Sequence, residues 1–178
     1  MNRKTERNSP IDSLCFNQIV SEYQERLYWH IRKIVLIHED TDDVLQNTFI
    51  KVYKGLESFR GDSSLSTWLY RIAYNEAINH FRSKHKSFLF SSDARSESVL
   101  RSLQADPYFD GGEAELLLQK AIVNLPRRQK AVFIMRYYDE LSYAQISEIL
   151  DVSIGALKAS YHRAFQKIKQ YIQCNEIR

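Results

Sequence analysis

The stretch LSYAQISEILDVSIGALKASYHRAFQKI, residues 141–168, decides the fold. Ser142 followed by Gln145 is the Ser-x-x-Gln pattern of a reciprocal N-terminal cap, in which each side chain answers the other residue's backbone N–H. It predicts a helix over residues 143–150. Asp151-Val152-Ser153 then makes a short turn. Aspartate tolerates the left-handed backbone better than most residues, so it can hold a position often given to glycine. Ser153 caps a second helix, from Ile154 to about Tyr171. Ala144, Ile149, Val152, Leu157 and Ala164 are spaced to pack the two helices around that turn. The second helix carries Lys158, Arg163, Lys167 and Lys169 and no acid before Glu176. An amphipathic helix with cations only is a nucleic-acid footprint. The pattern is that of a helix-turn-helix, which holds its second helix out towards a DNA major groove. By pattern alone, the competing reading is a helical hairpin with a solvated basic face.

Outward from this motif the chain reads as all-α. Its 178 residues include only 5 glycines and 3 prolines, so turns are few. Apolar residues recur at helical spacing at Leu14, Ile19, Tyr23, Leu27, Ile31 and Ile34, predicting a helix over residues 12–37. The pattern breaks at residues 38–41. Thr41 or Asp40 then caps a second helix, with Asp42 and Asp43 in its first turn, where the helix dipole favours negative charge. Its stripe is Val44, Leu45, Thr48, Phe49, Val52, Tyr53 and Leu56. A serine-rich loop, residues 58–66, precedes a third helix over 67–82 with Leu69, Ile72, Ala73, Ala77 and Phe81 on one face. Beyond residue 83 the periodicity weakens among serines, balanced charges and Gly111-Gly112. That composition reads as a linker, with a transient turn over residues 99–103. Helical pattern resumes at Glu113, with Leu117, Ala121 and Ile122 as its stripe and Pro126 where a first turn tolerates proline. The expected fold is all-α: two small helical domains, 11–85 and 113–178, joined by a flexible linker over 86–112, the C-terminal one a helix-turn-helix.

Several classes are excluded on the same grounds. The first ten residues are charged and lack an apolar segment, so no signal peptide is expected. No apolar run is long enough to span a bilayer, and the expected location is cytoplasmic. Cys15 and Cys174 stand near opposite ends with no metal-binding spacing and are read as thiols. The five histidines are scattered, and no phosphate-cradling loop, HExxH or Ser/His/Asp grouping occurs, so neither an enzyme nor a cofactor is expected.

Three further motifs, in order, carry a family resemblance. Residues 42–53, DDVLQNTFIKVY, resemble the core-polymerase-binding helix of sigma-70 family RNA polymerase sigma factors. Phe59-Arg60-Gly61-Asp62, Thr67-Trp68-Leu69-Tyr70-Arg71-Ile72-Ala73 and Asn75 resemble the promoter-melting segment of the extracytoplasmic-function (ECF) group. Leu125-Pro126, Arg136-Tyr137-Tyr138 and the helix-turn-helix resemble its second DNA-binding domain. The resemblance runs from about residue 15 to 172. It makes 11–85 sigma region 2 and 113–178 sigma region 4.

The resemblance implies a sigma factor that binds core RNA polymerase through its largest and second-largest subunits and directs initiation at promoters with minus-10 and minus-35 elements. Asp43, Gln46, Asn47 and Phe49 would meet the polymerase; Phe49 serves equally as plain core. Phe59, Arg60, Gly61 and Asp62 would capture a base flipped from the minus-10 element, whose unstacking costs a few kcal/mol. Asn75, with Asn79 one turn on, offers an amide that can read a base edge. Trp68 is core, DNA wedge or both. Arg71, Arg82, Lys84 and Lys86 would grip phosphates. In the second domain, Ser142, Tyr143, Lys158, Ala159, Ser160, His162, Arg163 and Lys167 match minus-35-binding positions. Arg163 would pair with a guanine edge, and Lys158 and Lys167 with phosphates. His162 is open to base contact, phosphate contact or plain surface. Ala159-Ser160-Tyr161 replaces the family's frequent Ser-Arg-hydrophobic run, removing one expected DNA contact. An anti-sigma factor is a further implied partner that no residue displays by itself. The competing function is a stand-alone helix-turn-helix transcriptional regulator, which leaves Trp68, Asn75 and the Phe59 loop unexplained. A protein-interaction adaptor leaves the cationic helix unexplained.

Overall fold

The computed structural model describes residues 10–85 and 112–176, with side chains from 16 to 83 and from 112 to 175. Residues 84 and 85 are therefore described by backbone alone. Most of the linker, with Lys86 and the turn expected at 99–103, lies outside the described residues. All seven α-helices among those described come from patterns of three to four.

Helix α1, Pro10–Val35, buries Ile19, Tyr23, Leu27, Ile31 and Ile34 along one stripe. His30 joins that stripe with no exposure at all. The helix stops at Leu36, whose φ of 72° is left-handed. That backbone is disfavoured for a leucine by about 1–2 kcal/mol. Burial of the leucine side chain and a hydrogen bond from the buried Arg32 guanidinium to the Leu36 carbonyl offset it.

Helix α2, His38–Gly55, begins earlier than the sequence reading places it. Its N-cap is Ile37, which makes no side-chain cap bond. Asp40 and Thr41 are therefore inside the helix and not capping it. Thr41 donates to the Ile37 carbonyl at 2.7 Å, and the buried Asp40 carboxylate lies 3.3 Å from His80 Nε2. Asp42 and Asp43 fall in the second turn, where the dipole's pull has largely faded. The buried stripe is Val44, Thr48 and Val52; Tyr53, expected within it, is exposed.

A single 3-10 turn, Leu56–Ser58, leads through a loop to helix α3, Leu65–His85. Leu69, Ala73 and Ala77 are buried as expected. Tyr70 and Ile78 are buried as well, because α3 has a second neighbour.

That neighbour is the C-terminal block. Helix α4, Glu113–Val123, buries Ala121 and Ile122, and Pro126 caps helix α5, Arg127–Phe133. A wide π turn, Ile134–Tyr138, follows. Then come α6, Tyr143–Leu150, and α7, Ile154–Glu176. Helix α6 packs on α3, and the π turn packs on α1. One apolar cluster runs through the join, from Leu27, Ile31 and Tyr70 to Met135, Ile146 and Leu157. The two blocks, read from sequence as separate domains, thus face each other across a continuous seam.

Desolvation pulls the Lys130 ammonium on α5 down from 10.5 to about 8. Part of this side chain still reaches the surface, which tempers the penalty. The unfolded chain holds that proton more tightly between pH 8 and 10.5, so stability should rise with pH across this window. Lys130→Met should abolish the rise and stabilise the chain at pH 7 by about 1 kcal/mol, read by urea unfolding. An unchanged midpoint at both pH values would show the ammonium to be fully hydrated.

Candidate nucleic-acid interface

The helix-turn-helix forms as its residues dictate. Ser142 Oγ accepts from the Gln145 backbone N–H at 3.2 Å, and Gln145 Oε1 accepts from the Ser142 N–H at 2.9 Å. Asp151 is left-handed at φ 53°, ψ 54°. Ser147 donates to the Val152 carbonyl at 2.7 Å, and Ser153 Oγ accepts from Ala156 at 3.4 Å. Ala164, expected between the two helices, belongs instead to the cluster with Ala121, Ile122, Leu125 and Phe133; Ile146, Ile149 and Leu157 fill the angle between the helices. Ala144, expected there, is exposed, and Ile146 takes its place.

Leu157, Ala164 and Ile168 bury one side of α7 and Tyr161 half-covers it, so the opposite side is presented outwards. Lys158, Ala159, His162, Arg163 and Lys167 are all exposed. At 100° per residue, Lys158 and Lys167 lie about 180° apart, with Ala159 and Arg163 between them. With cations at both edges, Ala159 near the middle and Arg163 about 40° from Lys167, the face suits a helix between two phosphate backbones. Ser160 is half-buried at the margin. Tyr143 is half-buried too; its ring lies beneath the cations of Arg136 and Lys158, at 5.5 and 5.9 Å. These contacts fix the ring beside the α7 face. Exposed Ser142 keeps its hydroxyl proton free to donate while its oxygen caps α6.

On α3, Trp68, Asn75 and Asn79 fall within about 40° of one line. Both asparagines are exposed and Trp68 is half-buried. The indole tilts against Phe59, with centroids 4.9 Å apart, and crowds Gly55, where an added Cβ would sit 3.0 Å from Cζ2. Trp68 is thus part core and part surface. Arg60, Gly61 and Asp62 are exposed in the loop beside it, Gly61 with φ 76°. Arg82 is exposed one turn beyond Asn79. Arg71 is not brought fully to this face. It turns about 60° aside, and its Nη2 donates to the Glu148 carbonyl of α6 at 2.7 Å, while its buried Nε has no partner.

On α2, Asp43, Gln46 and Asn47 share an exposed face. Phe49 turns from it to meet Phe16 edge-on, centroids 6.3 Å apart. Ile50 and Tyr53, 44% and 42% exposed, belong to the same exposed surface and were missed. Their signal was available: both sit three to four residues from Gln46, Asn47 or Ile50 on the helical repeat.

The seam holds the residues least legible beforehand. His30 Nδ1 lies 2.6 Å from Asp139 Oδ2, with both side chains buried, and packs edge-on against Tyr70. Burial, and then the Asp139 carboxylate, push the Tyr70 phenol up to about 12. Lys33 stands 4.9 Å over the Tyr138 ring, and burial draws its ammonium down despite Asp139 nearby. A histidine within an apolar stripe was the one sequence signal of this cluster. Asp139 gave none.

Residues 19–87 match the family model described as Sigma-70 region 2, and residues 115–168 that described as Sigma-70, region 4. The ECF RNA polymerase sigma-E factor of Haemophilus influenzae is 34% identical over 176 residues, 94% of this chain and 93% of that protein. That of Escherichia coli K12 is 31% identical over 184 residues, 94% and 92% of the two chains. The ECF RNA polymerase sigma factor SigW of Bacillus subtilis is 27% identical over 91% of each. Two solved structures share the fold. The sigma factor RpoE of Bartonella quintana, in complex with the anti-sigma factor NepR, gives a TM-score of 0.70 at 20% identity, covering 90% of this chain and 98% of that one. CnrH, in complex with the cytosolic domain of CnrY, gives 0.68 at 21%, covering 92% and 90%. No helix among the described residues is long and apolar enough to cross a membrane.

Proposed function

This chain belongs to the sigma-70 family as a sigma factor of the ECF type, and on that premise we propose how its residues divide the work. It binds core RNA polymerase and directs promoter-specific transcription initiation. Residues 11–85 act as region 2 and 113–178 as region 4, with 86–112 linking them. Asp43, Gln46 and Asn47, extended by Ile50 and Tyr53, dock on the polymerase's largest subunit. Region 4 engages the second-largest subunit and the minus-35 element, with Arg163 reading a base and Lys158 and Lys167 holding phosphates. The loop Phe59 to Asp62 receives a base flipped from the minus-10 strand, and Asn75 and Asn79 read beside it. RNA synthesis itself stays with the polymerase, so the chain has no catalytic residue, and it works in the cytoplasm where the polymerase is. An anti-sigma factor holds it inactive, in keeping with the anti-sigma factor NepR bound to the Bartonella quintana relative.

The observation that carries this reading is one chain presenting two separate DNA-suited faces, the Trp68–Asn75–Asn79 line and the outward face of α7, which has no acid before Glu176. A stand-alone regulator needs only the second. The test is to add purified chain to sigma-free core polymerase and map starts across a library of the host's promoters. Starts sharing two upstream boxes at a common spacing are expected. Specific duplex retention by the chain alone, with no initiation, would overturn it.

Asn75→Ala isolates the melting role. Closed-complex affinity should hold while open-complex formation, read by permanganate footprinting, falls about tenfold, the worth of roughly one to two hydrogen bonds. Equal loss at both steps would remove Asn75 from base capture.

A further inference from the structure

The first two turns of a recognition helix are the part that meets base edges. In those turns of α7, Ala159 is the side chain nearest the outward line. It is exposed, and at 100° per residue it lies about 140–180° from the buried Leu157, Ala164 and Ile168. Its neighbours turn aside. Ser160 is half-buried about 100° away, and Tyr161 stacks inwards on Phe133, centroids 5.8 Å apart. Lys158 turns about 100° the other way, its ammonium 5.9 Å over the Tyr143 ring. His162 and Arg163 stand one turn further on, about 60° and 40° to the two sides of Ala159. The outward line of these turns thus carries a methyl group and no hydrogen-bonding group.

A methyl group still discriminates between bases. Set against the amino group of cytosine or adenine, it displaces water from a donor and returns no partner. Set against thymine, it meets the one methyl group that the major groove displays.

We propose that Ala159 makes the minus-35 box select a thymine, recognised by its 5-methyl group. This deepens the promoter-reading role of α7 and rests on it. The departure from the family's Ser-Arg run is then a change of base preference and not simply a lost contact. Arg163 lies four residues, about 6 Å, along the helix, so the guanine it reads should stand about one to two base pairs from that thymine.

The test uses core polymerase loaded with the full chain, and duplex fragments of one promoter found by start mapping. Each thymine of its minus-35 box, on both strands, is replaced in turn by deoxyuridine, which removes the methyl group and keeps the hydrogen-bonding edges. One replacement should weaken binding about fourfold, the worth of one buried methyl-sized group, and the others should leave it unchanged. Where cytosine stands in for that thymine, 5-methylcytosine should bind about fourfold better than cytosine. Ala159→Gly, at an exposed position, should keep its fold and bind the thymine and uracil fragments alike. Ala159→Gln suits a helix better than glycine and should lose the discrimination too, so a glycine variant that fails to fold does not end the test. No thymine–uracil difference at any position would overturn the contact. So would a difference that survives undiminished in both folded variants, since another residue or the shape of the duplex would then sense the methyl group. Binding that ignores a scrambled minus-35 box would instead overturn the reading of α7 on which the contact rests.

Discussion

With Leu157 truncated to alanine, the helix-turn-helix is expected to lose about 3 kcal/mol, within the range of about 2–5 for a fully buried leucine. Leu157 has no exposure and sits with Ile146 and Ile149 where α6 meets α7. Among the described residues it is the buried α7 side chain in the cluster shared with α6, and Ser153 caps only the first turn of α7 through a long bond of 3.4 Å. The variant should melt early in urea. Polymerase carrying it should lose preference for promoters with a minus-35 box while the N-terminal block still binds core. An unaltered melting curve would mean that the cavity collapses without strain. An unaltered promoter preference in a destabilised variant would mean that minus-35 reading does not depend on α7.

Arg163→Ala is expected to act without unfolding anything. The side chain is exposed on the outward face of α7, about 40° from Lys167. Loss of a two-pronged contact to a guanine edge costs about 1–3 kcal/mol, roughly a tenfold to hundredfold weakening. The loss should appear only on templates whose minus-35 box is intact, and affinity for core polymerase should stay as it was. Lys167→Ala offers the contrast. It should weaken binding to all sequences alike and flatten the salt dependence by about one unit. A failure of Arg163→Ala to bind core would reverse the proposed assignment of the two blocks.

The legible parts of this molecule were the local ones. The Ser142–Gln145 cap, the left-handed Asp151 and the bounds of α6 came from residues a few positions apart, where chemistry alone selects the conformation. The start of α2 was misread because Ile37 caps it without a side-chain bond; the polar residues downstream looked the better caps. Ala144 was placed inside because a small apolar residue fits the repeat, yet in an eight-residue helix the crossing chose Ile146. Tyr70, Ile78 and Asp139 could not be placed at all. Their burial is made by docking between residues more than sixty positions apart, and no local pattern records it. The proposed polymerase face on α2 was half legible for the converse reason. Its polar residues read as surface, while Ile50 drew no notice and Tyr53 read as core.

The histidine within the α1 stripe has a consequence for the order of synthesis. Helices α1 to α3 leave the ribosome before the residues that cover them exist. At about 5–20 residues per second, roughly 5–20 s pass before α7 is complete. During that wait the face holding Leu27, Ile31 and Tyr70 is open to solvent and to other nascent chains. An imidazole and a phenol set into it keep the patch hydrated and discourage pairing with the wrong surface. His30 would thus guard the newborn chain against aggregation before it ever meets Asp139.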